Sequence, residues 1–150
     1  MIKVQEQDFD LAAEIAALTR GKTDIGGVVS FIGLVRDVSD GAKVAAMTLE
    51  HYPGMTEKQL SAIERDACAR WPLSASLIIH RHGRLLPGEQ IMAVVTASAH
   101  RQAAFEAAEF LVDWLKNKAP FWKLESDGGA ESWVATRDSD DAAAERWEKG

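Results

Sequence analysis

The chain has 150 residues, of which 47% are apolar and 27% charged, a composition that suits one compact domain with its own core. Its formal net charge of −6 argues against broad nucleic-acid binding, which needs a cationic surface. Cys68 is the sole cysteine, which excludes an intrachain disulfide and a multi-cysteine zinc motif. The first residues show neither a leader pattern nor an apolar run near the ~20 residues of a membrane span, so we expect a cytoplasmic protein.

The amino-terminal segment predicts a short strand followed by a helix. Residues 2–6 have the composition of a strand, and residues 8–20 repeat apolar side chains at helical spacing. Asp8 is the expected helix cap, and Gly21 is expected to close the helix.

A nearly continuous apolar run at 26–35 predicts a strand that is covered on both faces. Turn-forming residues follow at 37–41, so the segment 43–52 is expected to be its partner strand. The central sheet should therefore contain this pair.

The segment 53–72 predicts a second helix, with Thr56 as its N-cap and Pro72 as its stop. Cys68 lies beside Ala67 and is expected to pack as a small apolar residue. One face of this helix carries apolar residues at helical spacing, namely Leu60, Ile63, Ala67 and Trp71.

The second half predicts two strands and the longest helix, followed by short extended pieces. Strands at 74–83 and 89–99 flank the turn at Pro87-Gly88, and the helix covers 100–120. The remaining predictions are strands at 121–126 and 131–136 and an acidic helical tail at 139–149.

Strands interleaved with three main helices predict an α+β fold, with a mixed and largely antiparallel sheet in one domain, residues 1–150. The Asp-Gly and Pro-Gly turns favour antiparallel pairing. Strand-helix-strand units leave an α/β arrangement open.

The segment 115–123 sets lysines around an Ala-Pro-Phe-Trp block. Lys116 follows Val112 by four residues, which puts its stem on the shoulder of the apolar helix face, where partial desolvation would fit it for chemistry. After the turn at Pro120, Lys123 could face back toward Lys116. The ordinary alternative is a set of surface lysines whose stems cover aromatic rings and whose charges offset the helix dipole.

Three further basic residues are candidates for binding an anion. His100 and Arg101 enter the long helix at its N-terminus, where unpaired amides and the dipole attract phosphate. Arg36 lies at a strand-to-loop junction, and Gly33 would let a ligand or backbone approach closely. A cap region and a turn arginine are the ordinary alternatives.

His80 and His82 alternate onto one strand face as a possible metal pair. Two ligands without a third are weak evidence, because catalytic zinc usually has three protein ligands. The sequence also lacks the nucleophile-elbow, Walker and dinucleotide motifs, which removes support for the common nucleotide enzymes.

Four segments, in this order, give the chain a specific resemblance: "FIGLVRD" (31–37), "TLEHYPGMTEK" (48–58), "SAHR" (98–101) and "LKNKAPFWK" (115–123). Together they resemble the large, catalytic subunit of molybdopterin synthase, and the similarity extends from about residue 2 to 147. The resemblance implies an α/β-hammerhead-like fold within the α+β class.

The resemblance also implies the reaction and the partners. In that family, a dimer of large subunits binds a small ubiquitin-like sulfur carrier at each end, forming a heterotetramer. The carrier's Gly-Gly tail ends in a thiocarboxylate that gives sulfur to cyclic pyranopterin monophosphate. Two transfers make the dithiolene of molybdopterin, and neither a metal nor a cofactor is needed at this step.

By resemblance, Lys116 and Lys123 are the catalytic residues, with Lys116 nearest the carrier's terminal carbonyl. Arg137 matches a further site arginine that the second subunit could supply. Phe31 and Pro120-Phe121 would wall the tunnel for the tail. The residues expected to bind substrate are Phe31, Leu34, Val35, Arg36, His100, Arg101, Lys118, Leu124, Glu125 and Arg137.

Three positions depart from the family's commonest pattern. Lys118 stands where an arginine is frequent, Trp114 where a tyrosine is frequent, and Val112 where a methionine is frequent. The first change keeps the charge and loses the planar fork of a guanidinium. These changes affect the expected shape of the pocket.

Two alternative functions remain open at this point. A non-catalytic scaffold could grip a ubiquitin-like tail without needing two positioned lysines. A lysine Schiff-base enzyme acting on phosphorylated carbonyl compounds would need a reactive lysine but no carrier.

Overall fold

A computed structural model describes residues 1–39, 41–43, 45–126, 131–133 and 146–147. The fold class is α+β, as predicted. The helices are α1 (Leu11–Thr19), α2 (Met55–Arg70) and α3 (Arg101–Asn117). The strands are β1 (Ile2–Gln5), β2 (Gly27–Leu34), β3 (Val38–Ser39), β4 (Ala42–Lys43), β5 (Ala46–His51), β6 (Leu73–Arg81), β7 (Gly83–Leu85), β8 (Gln90–Ser98), β9 (Phe121–Ser126) and β10 (Glu131–Trp133).

The central sheet has the strand order β1-β6-β8-β2, with β1 parallel to β6 and the other pairs antiparallel. Its two inner strands are buried on both faces. Leu77 and Ile79 face Phe9 and α1, whereas Ile78 and Val94 face the core beneath α2 and α3. This two-sided burial accounts for the continuous apolar runs in β6 and β8.

The second sheet has the order β10-β9-β5-β7, all antiparallel, and a two-stranded hairpin joins β3 to β4. The prediction that 43–52 pairs with 26–35 is therefore wrong, because β5 pairs with β9 and β7 while β2 pairs with β8. The turn residues between them lead instead into the small hairpin, which directs the chain to the other sheet. The strand β7 was not predicted.

The expected two-sided burial of β2 is also wrong. This strand is at the edge of the central sheet, and its exposed apolar side chains are Val28, Phe31, Ile32 and Leu34, which keep 38–53% of their surface in solvent. The apolar composition of β2 matches that of the inner strands. Sequence composition could therefore not distinguish an edge strand with an unpaired apolar surface from a buried one.

Two helix starts differ from the predicted positions. Asp10, not Asp8, caps α1, since its Oδ1 accepts a hydrogen bond from the Ala13 amide at 3.2 Å. In α2 the N-cap is Gly54, at φ 85°, and its amide donates to Glu57 Oε2 at 2.7 Å. Thr56 is buried inside the first turn and donates its hydroxyl to the Tyr52 carbonyl.

Both long helices keep their predicted apolar faces. Leu60, Ile63 and Ala67 of α2 are buried, and α2 ends before Pro72 as expected. Cys68 is exposed, so the expectation that it packs in the core is wrong. In the described part of the chain, no helix is long and apolar enough to cross a membrane.

The described carboxy-terminal residues, Arg146 and Trp147, are helical and pack against α3. Arg146 bonds to Glu109 and Asp113 at 2.8 Å each. The Trp147 ring meets Phe110 edge-on at 5.6 Å. The rest of the predicted tail at 139–149, and residues 134–136 of the last predicted strand, lie outside the described residues.

The helix α3 follows β8 and runs back across β8 and β2. At its start, Thr96 of β8 donates to the Ala104 carbonyl at 2.6 Å. Its amino end therefore lies where Ser98 pairs with Gly27, and its carboxy end lies where Met92 pairs with His80.

A glycine at the start of β2 gives a test of this packing. A Cβ on Gly26 would lie 2.1 Å from the Ala99 carbonyl oxygen, a backbone atom just before α3. We expect Gly26→Ala to lower the free energy of unfolding by about 1–3 kcal/mol, because the strand or the helix start must shift. Urea unfolding measures this loss.

The matched control is Gly27→Ala, whose Cβ would meet its nearest atom, Arg101 Cα, at an ordinary 3.7 Å. Equal stability of the two variants would contradict the close approach at Gly26.

Candidate active site

The two candidate lysines lie on either side of the turn between α3 and β9. Lys116 is in the last turn of α3, and the amide of Lys118 closes the helix by donating to the Trp114 carbonyl at 2.7 Å. The Phe121 amide then donates to the Ala119 carbonyl at 2.8 Å, and β9 begins. Lys123 then lies in β9, opposite Leu49 of β5. That its side chain faces back toward Lys116 stays a prediction.

His80 lies beneath this turn. Its imidazole stacks on the Phe121 ring, with 3.6 Å between ring centroids and 15° between the planes. It is buried, on the α3 side of the central sheet, and its Nδ1 lies 2.8 Å from the Arg81 carbonyl oxygen. Because a carbonyl oxygen only accepts, Nδ1 carries the proton and Nε2 keeps its lone pair.

The pKa of His80 falls to about 3, mainly because burial disfavours the charged ring, and further because the positive charges of Lys123 and Lys116 repel it. The bond to the Arg81 carbonyl acts in the opposite direction. The ring is therefore neutral near pH 7, and both lysines lie within electrostatic reach of it.

A second histidine, His51, adjoins the same aromatic ring, and a third, His82, lies against His51. The His51 ring lies 5.8 Å from Phe121 and 4.4 Å from the His82 ring. His51 Nδ1 bonds to Thr56 Oγ1 at 3.0 Å. Burial lowers the pKa of His51, and repulsion from His82 lowers it further, so a neutral form is favoured here too.

The expectation that Lys116 is partly desolvated is wrong, because its side chain is exposed. Lys123 is half-buried. Burial therefore does not prepare Lys116 for chemistry, and what the fold supplies is its position: an accessible ammonium group within electrostatic reach of the neutral His80 ring.

His100 and Arg101 lie at the other end of α3 and are exposed. His100 is the N-cap, and its side chain makes no capping hydrogen bond, so the first amides of α3 can face an anion. A helix rises 1.5 Å per residue, which separates Arg101 from Lys116 by about 22 Å along the axis. Within one chain these residues do not form a single site.

Arg36 lies at the lysine end of the sheet, just beyond the pairing of Leu34 with Gln90. It is exposed and helps to line an open cleft of ≈ 810 Å³, which also contains Val35 and the Pro87-Gly88 turn. Val35 is mostly buried and belongs to the core cluster.

The other candidate residues are less closely grouped. Phe31 and Leu34 are exposed on β2, and Lys118 is exposed at the end of α3. For Leu124 and Glu125 the structure describes the backbone, which pairs with Thr48 and Met47 in β5. Arg137 lies outside the described residues.

Gly33 proves to be a packing position. A Cβ there would lie 3.2 Å from Met92 Sδ and 3.3 Å from Met92 Cγ. The glycine therefore leaves room for the Met92 side chain of the neighbouring strand. Among the described residues, no group of three or more histidine, cysteine, aspartate or glutamate side chains could hold a metal ion.

Sequence reasoning missed the place of His51 and His80 in this site. The signal for His80 was its position at the end of the apolar run "SLIIH", where a histidine continues a buried strand. His51 could be found only from the pairing of β5 with β9, which sets it opposite Phe121.

Comparison with known proteins identifies the family of this chain. The family model described as MoaE protein matches residues 4–118. The chain belongs to the MoaE family. A molybdopterin synthase catalytic subunit from Mesorhizobium japonicum is 57% identical, with 97% of this chain and 92% of the relative covered.

Solved structures of this family share the fold. The molybdopterin biosynthesis MoaE protein from Burkholderia ambifaria superposes with a TM-score of 0.84 at 51% identity, covering 99% of this chain and 97% of that one. A complex of subunits 1 and 2 of molybdopterin-converting factor from Helicobacter pylori gives 0.74 at 19% identity, covering 91% of each chain, which shows a common fold.

The buried neutral histidine predicts a pH-dependent stability. His80 has a pKa of about 3 in the folded protein, against about 6.5 in an unfolded chain. Between these pH values the unfolded state binds more protons than the folded state. The contribution of His80 to the free energy of unfolding is therefore fully present above about pH 6.5 and falls on acidification, by up to about 1.4 kcal/mol per pH unit.

Urea unfolding at pH 7.5, 6.0 and 5.0 measures this slope. We expect His80→Phe to show a shallower slope, because it removes the titrating ring, while His51 keeps part of the dependence in the same direction. Identical slopes in the variant and the wild type would contradict the assignment.

Proposed function

We propose that this chain is the catalytic subunit of molybdopterin synthase, a sulfurtransferase of molybdenum-cofactor biosynthesis. Its MoaE family membership and a 57% identical relative of that name support the proposal. It acts as a single domain, residues 1–150, in the cytoplasm. The observation that carries the proposal is that Lys116 and Lys123 both lie within electrostatic reach of the buried His80, whose ring stacks on Phe121.

The substrates explain why an acidic chain gathers cations here. A thiocarboxylate and the cyclic phosphate of a pyranopterin are both anions, and they repel each other until positive groups bring them together. Lys116 and Lys123 stabilise the charge that develops during sulfur transfer and move protons between the reacting groups. No step needs a metal or cofactor.

The sulfur donor is the thiocarboxylated Gly-Gly tail of a small ubiquitin-like carrier subunit. The exposed position of Lys116 suits contact with a tail that arrives from another protein. The Helicobacter pylori complex contains two kinds of subunit. We assign Lys116 to the carrier's terminal carbonyl and the half-buried Lys123 to the pterin side.

The full site contains residues of two copies of the chain. His100 and Arg101 are suited to the substrate phosphate, yet α3 holds them about 22 Å from Lys116 of the same chain. The edge strand β2 adjoins both ends of α3 and exposes Val28, Phe31 and Ile32, an apolar surface suited to a second copy. A homodimer therefore brings the phosphate-binding end of one chain to the lysine end of the other.

The first test substitutes the two lysines. In Lys116→Ala and Lys123→Ala, turnover should fall ~10²–10³-fold, because each removes a group that stabilises charge in the transition state. Stability should change by no more than about 1 kcal/mol, since neither side chain is in the core. Single-turnover formation of molybdopterin from thiocarboxylated carrier and pyranopterin measures the loss.

Lys58→Ala on the exposed face of α2 is the matched control and should behave as the wild type. A Lys116→Ala protein that folds, binds carrier and turns over within about threefold of wild type would show that Lys116 does not act in sulfur transfer.

The second test asks whether two chains form each site. Arg101→Ala and Lys116→Ala are each expected to be nearly inactive. When the two proteins are mixed and allowed to exchange subunits, hybrid dimers should contain one intact site, and activity should return to about a quarter of the wild-type value.

The control mixes Lys116→Ala with Lys123→Ala, whose defects lie at the same end of the chain and cannot complement. Absence of recovery in the first mixture, with exchange confirmed by native mass spectrometry, would place all the residues of a site in one chain.

A further inference from the structure

We propose that His80 is a positioning residue for sulfur transfer: by stacking flat on Phe121, it holds the turn that carries Lys116 and Lys123 in its productive place. The inference rests on the proposed roles of the two lysines. It concerns a histidine that contributes no charge and that sequence reasoning treated only as a weak metal ligand.

Phe121 is the structural link between the two lysines. It lies five residues after Lys116 and two before Lys123, at the point where the chain leaves α3 and enters β9. Its ring is held on one side by the His80 stack at 3.6 Å and lies 5.8 Å from the His51 ring. A displacement of this ring would move Lys123 relative to Lys116, which the end of α3 holds in place.

The base of the stack is rigid. His80 is paired with Met92 inside the central sheet, and its Nδ1 is fixed by the Arg81 carbonyl at 2.8 Å. Arg81 is itself buried and bonds to the carbonyls of Glu6 and Gln90 at 3.0 Å each. A ring anchored in the core is a firm support for a turn at the surface.

The imidazole of His80 must also be uncharged to support the turn that carries the two lysines. Lys116 from α3, Lys123 from β9 and His51 from β5 all disfavour a positive charge on it. The buried guanidinium of Arg81, the next residue along β6, adds another cation to its surroundings. An imidazolium would repel both lysines, whereas a neutral flat ring supports the turn without perturbing the charges that act on the substrate.

Two substitutions separate the stack from the hydrogen bond. His80→Asn keeps a donor for the Arg81 carbonyl and loses the stacked ring, whereas His80→Phe keeps a flat neutral ring and loses the donor. If the stack positions the lysines, kcat should fall about 10–100-fold in His80→Asn and stay within about threefold of wild type in His80→Phe. The KM for pyranopterin and the affinity for carrier should change less than threefold in both.

The matched control for lost aromatic packing is Phe110→Leu. Phe110 is buried in the core cluster against which Phe121 packs, and its ring contacts Trp71 and Trp147. It should lower stability and leave the kcat of the folded protein within about threefold of wild type.

Phe121→Leu tests the stack from its other side and serves if His80→Asn does not fold. It should lower kcat like His80→Asn, and the double variant should lose little more than either one, because both remove the same contact. The reactivity of Lys123 toward an amine-labelling reagent, relative to that of Lys58, should change in His80→Asn and in Phe121→Leu. This measurement does not depend on turnover.

Three results would each overturn the inference. These are a wild-type kcat in His80→Asn, equal losses of kcat in His80→Asn and His80→Phe, and unchanged labelling of Lys123 in His80→Asn or Phe121→Leu. If the wild type itself did not form molybdopterin, the proposed function would be contradicted instead. The labelling comparison would still decide whether His80 positions the turn.

Discussion

The burial of β6 and β8 on both faces is the constraint on which the rest of the structure depends. Two core clusters, one beneath α1 and one beneath α2 and α3, meet across these two strands. Because their side chains alternate between the clusters, the register of β6 with β8 decides which face each residue reaches. A shift of one residue would turn His80 away from Phe121 and remove the support beneath the lysine turn.

The same constraint explains how an acidic chain maintains a cationic site. Lys116 lies at the surface at the end of α3 and Lys123 is half-buried in β9, while the His80 ring near them is neutral. Burial removes the charge of His80, so this ring adds no repulsion to that between Lys116 and Lys123. Charges placed at the edge of a low-dielectric region act more strongly on a bound anion than the same charges in open solvent.

Local patterns predicted the elements well, and long-range pairing less so. Helix faces such as Leu60, Ile63 and Ala67 follow from spacing alone, and the turn at Pro120 followed from proline chemistry. The partner strand of β2 could not be predicted from the sequence, because the apolar residues that suit a buried strand also suit an exposed edge strand. The exposure of Lys116 was missed for a related reason: a position on a helix shoulder fixes its direction, but the neighbouring elements decide whether anything covers it.

Under the proposed function, neither end of α3 acts alone. A helix of 17 residues is a rigid spacer, so the cations at its two ends cannot converge by local motion. An exposed apolar edge next to both ends has a cost in solubility unless another surface covers it. In the proposed dimer, pairing two chains through this edge would bury the apolar side chains and would bring the His100–Arg101 end of each α3 to the lysine turn of the other chain.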